Sequence, residues 1–202
     1  MRKLIIVNMM SLDGYYTGSK EPEKPDTVLP FDDAFHAYDV ERMKTASTVL
    51  LGHNSYKEFS SFWPSLADDP DATPNPRKFA KLYNKIEKVV VSNKMTSREL
   101  KGPWKDTTRI ISHNVYDEVK KLQKEDGKDI VMWASRMLWS DLVAHGIVAE
   151  LHIILGNVVV GAGTPLFKDV HDVSLHNIGT PRKLPNSENV LIKYELRPPC
   201  LN

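Results

Sequence analysis

Cysteine is nearly absent: 202 residues contain one, Cys200. A single thiol excludes an intramolecular disulfide framework and every zinc site built from several cysteines. Charge of one sign is also absent. Lys and Arg number 27 against 26 Asp and Glu, a net charge of +1, so nothing in the composition calls for a polyanionic partner such as nucleic acid. No apolar run approaches the roughly 20 residues that span a bilayer. The opening Met1–Asn8 has two charges, too short an apolar run for a signal peptide and no cleavage-type segment after it, so it reads as a first strand of a cytoplasmic protein. Several catalytic signatures are missing too: the lysine-bearing phosphate loop, the Gly-x-Ser-x-Gly nucleophile elbow and the His-Glu-x-x-His metal helix. The seven histidines lack metal-ligand spacing, and Asp68, Asp69 and Asp71 sit in a proline-rich segment that reads as a solvated loop. No metal site is expected.

What is present is apolar sequence in short, punctuated runs. Apolar residues make up 41% of the chain and charged residues 26%, enough for a sizeable core in one domain over 1–202. Leu4–Met10 is continuously apolar, as a strand covered on both faces would be. Asp32 or Asp33 can cap a helix carrying Phe35, Tyr38 and Met43. Thr48–Leu51, Lys88–Ser92, Thr107–Ile111 and Ile130–Trp133 read as further strands, and Asn114 as the cap of a helix bearing Val119 and Leu122. Residues 63–76 hold four prolines and are expected to be irregular. Residues 150–160 read as one long strand, and 173–178 with 189–196 as an antiparallel pair. Strands alternating with helices and then following one another argue an α/β fold with a mixed sheet, mostly parallel early and antiparallel at the end.

The most informative stretch is Asp129–Gly146, where an apolar run meets Ala134 and Ser135 and a helical pattern begins at once. The first turn of a helix leaves N–H groups without partners and carries the positive end of the helix dipole, so a strand–turn–helix of this kind can hold phosphate. Taken alone it is also an ordinary β–α connection, since the turn is not glycine-rich. Other strand ends repeat the pattern with small, polar and basic residues: Asn8 to Gly14, Gly52-His53-Asn54-Ser55, Ser92-Asn93-Lys94 and Ala134-Ser135-Arg136. Ligands of open α/β sheets gather outside the carboxyl ends of the strands, so together these ends suggest a nucleotide cleft.

The ordered set of segments resembles the dihydrofolate reductase-like superfamily, and within it the reductase domain of the riboflavin-biosynthesis deaminase–reductase. The segments are Lys3–Val7 with Ser11–Gly14, Val49–Tyr56, Lys88–Ser92, Asp129–Leu138, Gly146–Leu151 and Val159–Phe167. The chain is identified as a stand-alone, bacterial-type member, and the 202 residues hold no deaminase half. The resemblance implies a three-layer fold, a central mixed, mostly parallel sheet with flanking helices and antiparallel C-terminal strands. It implies an NADPH-dependent oxidoreductase that passes a hydride to a small substrate, a pyrimidine or pterin by analogy with 5-amino-6-(5-phosphoribosylamino)uracil reductase. Gly52, His53, Asn54 and Ser55 would bind cofactor phosphate, with Ser92 near the adenosine 2′-phosphate. Ala134, Ser135, Arg136 and Leu138 would face the pyrophosphate and nicotinamide ribose. Asp13 and Glu150 would serve the nicotinamide and substrate side, relaying the proton that follows the hydride. Ala134 and Ala149 stand where the family carries Gly and Asp. Two alternatives stay open: dihydrofolate reduction, for which Asp33 is the acidic candidate on the first helix, and a non-catalytic nucleotide-binding protein. Apolar Val190, Ile192 and Leu196 on a late strand suggest an edge covered in a homodimer.

Overall fold

A computed structural model describes residues 1–19 and 25–197; Cys200 lies outside them. All nine strands of the described residues join one sheet: β1 (Leu4–Met10), β2 (Ala46–Gly52), β3 (Glu87–Val91), β4 (Thr108–Ile111), β5 (Asp129–Trp133), β6 (Glu150–Leu155), β7 (Ser174–Asn177), β8 (Arg182–Lys183) and β9 (Val190–Arg197). The order is β4-β3-β2-β5-β1-β6-β9-β7, with β8 also on β9. The pairings among β1 to β6 are all parallel, whereas β9 pairs antiparallel with β6, β7 and β8.

The apolar run of β1 has the expected explanation. Ile5, Val7 and Met9 pack on one face against helices α1 (Asp33–Thr45), α2 (His53–Leu66) and α3 (Pro74–Lys85). Leu4 and Ile6 pack on the other against α4 (Val115–Lys124) and α5 (Arg136–Ala144). Side chains alternate across a strand, so a strand sandwiched between two helical layers must be apolar at every position. Asp32 caps α1, its carboxylate accepting from the Phe35 N–H at 2.8 Å. Asn114 occupies the corresponding place before α4, but with left-handed backbone (φ +50°) and no side-chain cap bond.

The proline-rich segment departs from expectation. α2 continues through Pro64 to Leu66, and α3 begins at Pro74. Pro64 lies in the last turn, where it removes a single ladder bond. Trp63 holds that turn in place, packing edge-on against Phe79 with ring centroids 4.7 Å apart. Pro74 and Pro76 fall in the first turn of α3, where N–H groups have no helical acceptor in any case. The long strand expected over 150–160 ends at Leu155 instead. A Cβ at Gly156 would lie 2.9 Å from the Pro30 ring, and the chain turns away there. β9 is also not an edge: β6 covers one side and β7 and β8 the other. The basis offered for a homodimer at Val190, Ile192 and Leu196 is therefore removed.

One buried charge stands out. Lys88 on β3 is fully buried, with its Nζ 4.6 Å from the centre of the Trp104 ring and bonded to the Asn84 carbonyl (3.1 Å) and Thr107 Oγ1 (3.2 Å). Burial pushes its ammonium down to about 7, from 10.5. A depressed lysine pKa means that the unfolded chain binds the proton more tightly. Stability is thus fully present above about 10.5 and falls as the pH drops towards 7. Lys88→Met is expected to raise the unfolding free energy at pH 6 by about 1–2 kcal/mol, since burying the charge costs more than its ring contacts return. It should also flatten the rise in stability between pH 7 and 10. Denaturant unfolding across that range checks both; a variant less stable than the parent at pH 6 would contradict the assignment.

Candidate active site

β2 and β5 are neighbours, but their following helices leave to opposite faces, α2 to one and α5 to the other. That divergence opens a crevice outside the carboxyl ends of the two strands. Two hydrogen bonds lock its walls together. The Ser135 hydroxyl accepts from the Gly52 N–H at 3.0 Å, and the Ser135 N–H donates to the Ser55 hydroxyl at 3.0 Å. Neither α2 nor α5 has a side-chain cap; the Leu138 N–H turns back to the Ser135 carbonyl at 2.9 Å, and the N–H groups at the very start of each helix are left for an anion. Ala134 and Ser135 are consecutive left-handed residues, φ +51° and +52°. Such a conformation suits glycine and costs an alanine about 1 kcal/mol.

The basic strand ends divide. Ser92 Oγ accepts from the Lys94 and Met95 N–H groups at 3.2 and 3.0 Å and lies 2.9 Å from His53 Nδ1. An oxygen that already accepts twice has its own hydrogen left to donate. Ser92 thus donates to Nδ1, which places the imidazole hydrogen on Nε2. That atom is buried without a partner and is available as a donor. Arg136 is held by Asp169 at 2.7 Å. Leu138 borders Gly52 and fills space behind the turn, and Asn54 is exposed on α2. The donor set, two uncapped helix starts and an unpartnered imidazole N–H, fits the phosphates of a dinucleotide.

A cavity of about 600 Å³ adjoins this crevice. Its lining includes Val7, Asn8 and Met9 of β1, Phe35, His36 and Asp39 of α1, and Trp133 and Ala134 at the end of β5. Ala134 therefore belongs to both spaces. Asp39 is 2% exposed; its carboxylate accepts from the Trp133 indole N–H at 2.8 Å, and His36 Nδ1 lies 3.4 Å from its other oxygen. Burial pushes this carboxyl above the usual range, against the opposing pull of His36 and Trp133. Sequence reasoning did not single out Asp39. The signal was there: Phe35, Asp39 and Met43 recur every four residues, which puts an acid in the middle of an apolar stripe. Asp33, the acid considered instead, is exposed at the start of α1, accepts from Asn75 Nδ2 at 2.7 Å and does not line the cavity.

The two carboxylates expected to be catalytic, Asp13 and Glu150, do not line the cavity. Asp13 fastens two loops. It accepts from the Ser11 hydroxyl (2.6 Å) and from the N–H groups of Val160 (3.1 Å) and Gly161 (2.7 Å). These bonds, the Ser11 hydroxyl foremost, draw its pKa down to about 2. The same clasp needs Gly163, where a Cβ would lie 2.0 Å from the Thr17 carbonyl oxygen. Glu150 opens β6 opposite Ile5, at the amino end of the sheet, whereas Gly52, Ser92 and Ala134 lie at carboxyl ends. There it bonds His152 Nε2 (2.9 Å) and Lys3 Nζ (2.6 Å), which hold its pKa at about 2. The chain continues from His152 Nδ1 to the Tyr38 hydroxyl at 2.7 Å, a buried network that joins β6 to α1. Among the described residues no group of three or more His, Cys, Asp or Glu side chains is placed to hold a metal ion, and no helix is long and apolar enough to cross a membrane.

Known proteins share this architecture. The uncharacterized protein YyaP of Bacillus subtilis is 30% identical over 170 residues, covering 84% of this chain and 82% of its own. A putative riboflavin biosynthesis protein from Shewanella superposes with a TM-score of 0.69 at 20% identity, over 96% of this chain and 99% of the other. Dihydrofolate reductase from Enterococcus faecalis, solved with NADP(H), superposes with a TM-score of 0.56 at 12% identity, over 96% of both chains. These superpositions show the dihydrofolate reductase-like fold. Residues 2–186 match the profile of the RibD C-terminal domain, and the chain belongs to that family.

Proposed function

We propose that the protein is an NADPH-dependent reductase of a small heterocycle. One observation carries this reading: Ala134 is shared by a dinucleotide-type cradle and a half-open aromatic cavity, so a cofactor on the first would present its ring to the second. The uncapped starts of α2 and α5 hold the pyrophosphate, with Gly52 and Ser135 keeping them in register. His53 Nε2, oriented by Ser92, meets a phosphate oxygen. NADPH supplies the hydride when bound. The chain's part is to align the rings, exclude water and manage the proton. We assign that last task to Asp39, which lies in the cavity with a carboxyl raised by burial, in place of Asp13 and Glu150. The position of Asp39 on the first helix favours a second reading, reduction of a dihydropteridine, which the same assay with dihydrofolate would detect. The homodimer belongs to this proposal as well. Its candidate surface moves to the outer strand β7, where Leu175 is exposed, and a monomeric mass by light scattering would remove it.

The direct test is NADPH oxidation at 340 nm against a panel of pyrimidines and pteridines, alongside fluorescence titration with NADPH and NADH. NADPH binding with turnover of at least one ring is expected; no binding of either cofactor at millimolar concentration would overturn the proposal. Asp39→Asn should lower kcat/KM by about 10²-fold, the usual contribution of a positioned acid, and leave NADPH affinity intact. Glu150→Gln should leave turnover unchanged and lower the melting temperature, since its ionic bonds are structural. The reverse pattern would restore Glu150 as the catalytic group. Ala134→Gly should relieve about 1 kcal/mol of backbone strain and tighten NADPH binding. Weaker binding would mean that the methyl group contacts the cofactor favourably.

A further inference from the structure

The segments Ser11–Gly14 and Val159–Phe167 supply no lining residue of the cavity, yet they are fastened to each other. Asp13 accepts from the Val160 and Gly161 N–H groups at 3.1 and 2.7 Å. The Leu12 N–H donates to the Val158 carbonyl at 2.8 Å, and the Leu166 N–H to the Gly14 carbonyl at 2.9 Å. The Tyr16 N–H donates to the Thr164 carbonyl at 2.8 Å. Gly163 lets the two chains approach until a Cβ would collide with the Thr17 carbonyl. Ser11 braces the turn from inside: its hydroxyl donates to Asp13 and accepts from the Tyr15 N–H at 2.8 Å. Backbone locked on both sides of a residue places its side chain precisely. The residue placed in this way is Tyr16.

Tyr16 lines the cavity. It packs against the layer of α4 and α5, whereas Phe35, Trp63, Phe79 and Trp133 of the same wall belong to the layer of α1, α2 and α3. The ring therefore reaches from one layer to the cavity of the other. Arg136, the first residue of α5, is close enough to act on its phenol. Tyr16 thus stands where the cradle meets the cavity. Burial, and after it the Glu58 carboxylate, push the phenol pKa up against the pull of Arg136, so the hydroxyl keeps its hydrogen at any working pH. A neutral phenol can both donate and accept.

We infer that Tyr16 is a substrate-contacting residue, whose hydroxyl hydrogen-bonds the ring held in the cavity, and that Asp13 is the residue that positions it. This inference rests on the reading of the cavity as the substrate site. Asp13 then influences turnover without touching a reacting atom. Its charge holds the Val160 and Gly161 N–H groups, the clasp holds the backbone of Tyr16, and Tyr16 holds the ring.

Folate and lumazine serve as pteridine probes on the full chain, followed by quenching of tryptophan fluorescence, since Trp63 and Trp133 line the cavity. Tyr16→Phe keeps the aromatic ring and deletes only the hydroxyl. It is expected to weaken the probes about fivefold, the weight of one hydrogen bond, and to leave NADPH affinity unchanged. Asp13→Asn should cause a loss of similar size. The double variant should lose no more than Tyr16→Phe alone, because one residue acts through the other. A merely structural clasp would lower the melting temperature of Asp13→Asn and leave probe affinity well below that temperature unchanged; that result, or additive losses in the double variant, would overturn the positioning role. Unchanged probe affinity in Tyr16→Phe, a loss confined to NADPH, or binding of neither probe would overturn the contact itself. NADPH titration of the same samples separates the two claims. NADPH binding by the parent with no effect of Tyr16→Phe on the probes refutes the inference alone, and probe weakening in Tyr16→Phe without NADPH binding by the parent refutes the reductase reading alone.

Discussion

Two serine hydroxyls join the walls of the proposed cofactor site. Ser135 Oγ on the Gly52 N–H and Ser55 Oγ on the Ser135 N–H tie the beginnings of α2 and α5 across the β2–β5 boundary. The strands could pair without those bonds. The two helix starts would then be free to splay, and N–H groups that converge on one region would lose their common target. Such bonds are each worth about 1 kcal/mol net, so their weight lies in geometry more than in stability. The left-handed pair Ala134–Ser135 is the conformational cost of that geometry, and strain of this kind is concentrated at functional positions.

The sheet separates chemistry from support. Some buried polar atoms lack partners: His53 Nε2 at the start of α2, and Asn8 Nδ2 and Trp63 Nε1 in residues of the cavity wall. At the amino ends, many polar groups bond one another. Lys3, Glu150, His152 and Tyr38 form one continuous chain, and Arg2 bonds the Lys128 carbonyl and the hydroxyls of Ser47 and Thr48. A satisfied network rigidifies, whereas unsatisfied donors await a ligand.

Much of the fold was legible because its signals are local. The continuous apolar run of β1, the Asp32 cap and the small residues at 134–135 each state a structure within a few positions. The failures were tertiary. Four prolines argued against helix over 63–76, yet two fall where the first turn of a helix tolerates them and Trp63 secures a third by packing. Glu150 was singled out because it falls in a family segment, and strand register puts it at the amino end of the sheet, which the sequence could not show. Asp39 went unremarked because burial cannot be read from an aspartate itself; only its spacing between Phe35 and Met43 hinted at it. The small residues at 52–55 and 134–135 stood out in the sequence, and the cavity did not, since its walls come from segments more than a hundred residues apart.

The most direct measurement of the central claim is hydrogen–deuterium exchange of the full chain with and without NADPH. The account predicts slower exchange at the N–H groups of residues 52–56 and 134–139, the two helix starts, and no change around Glu150 at the amino end of the sheet. Protection confined to other segments, or none at saturating cofactor, would contradict it.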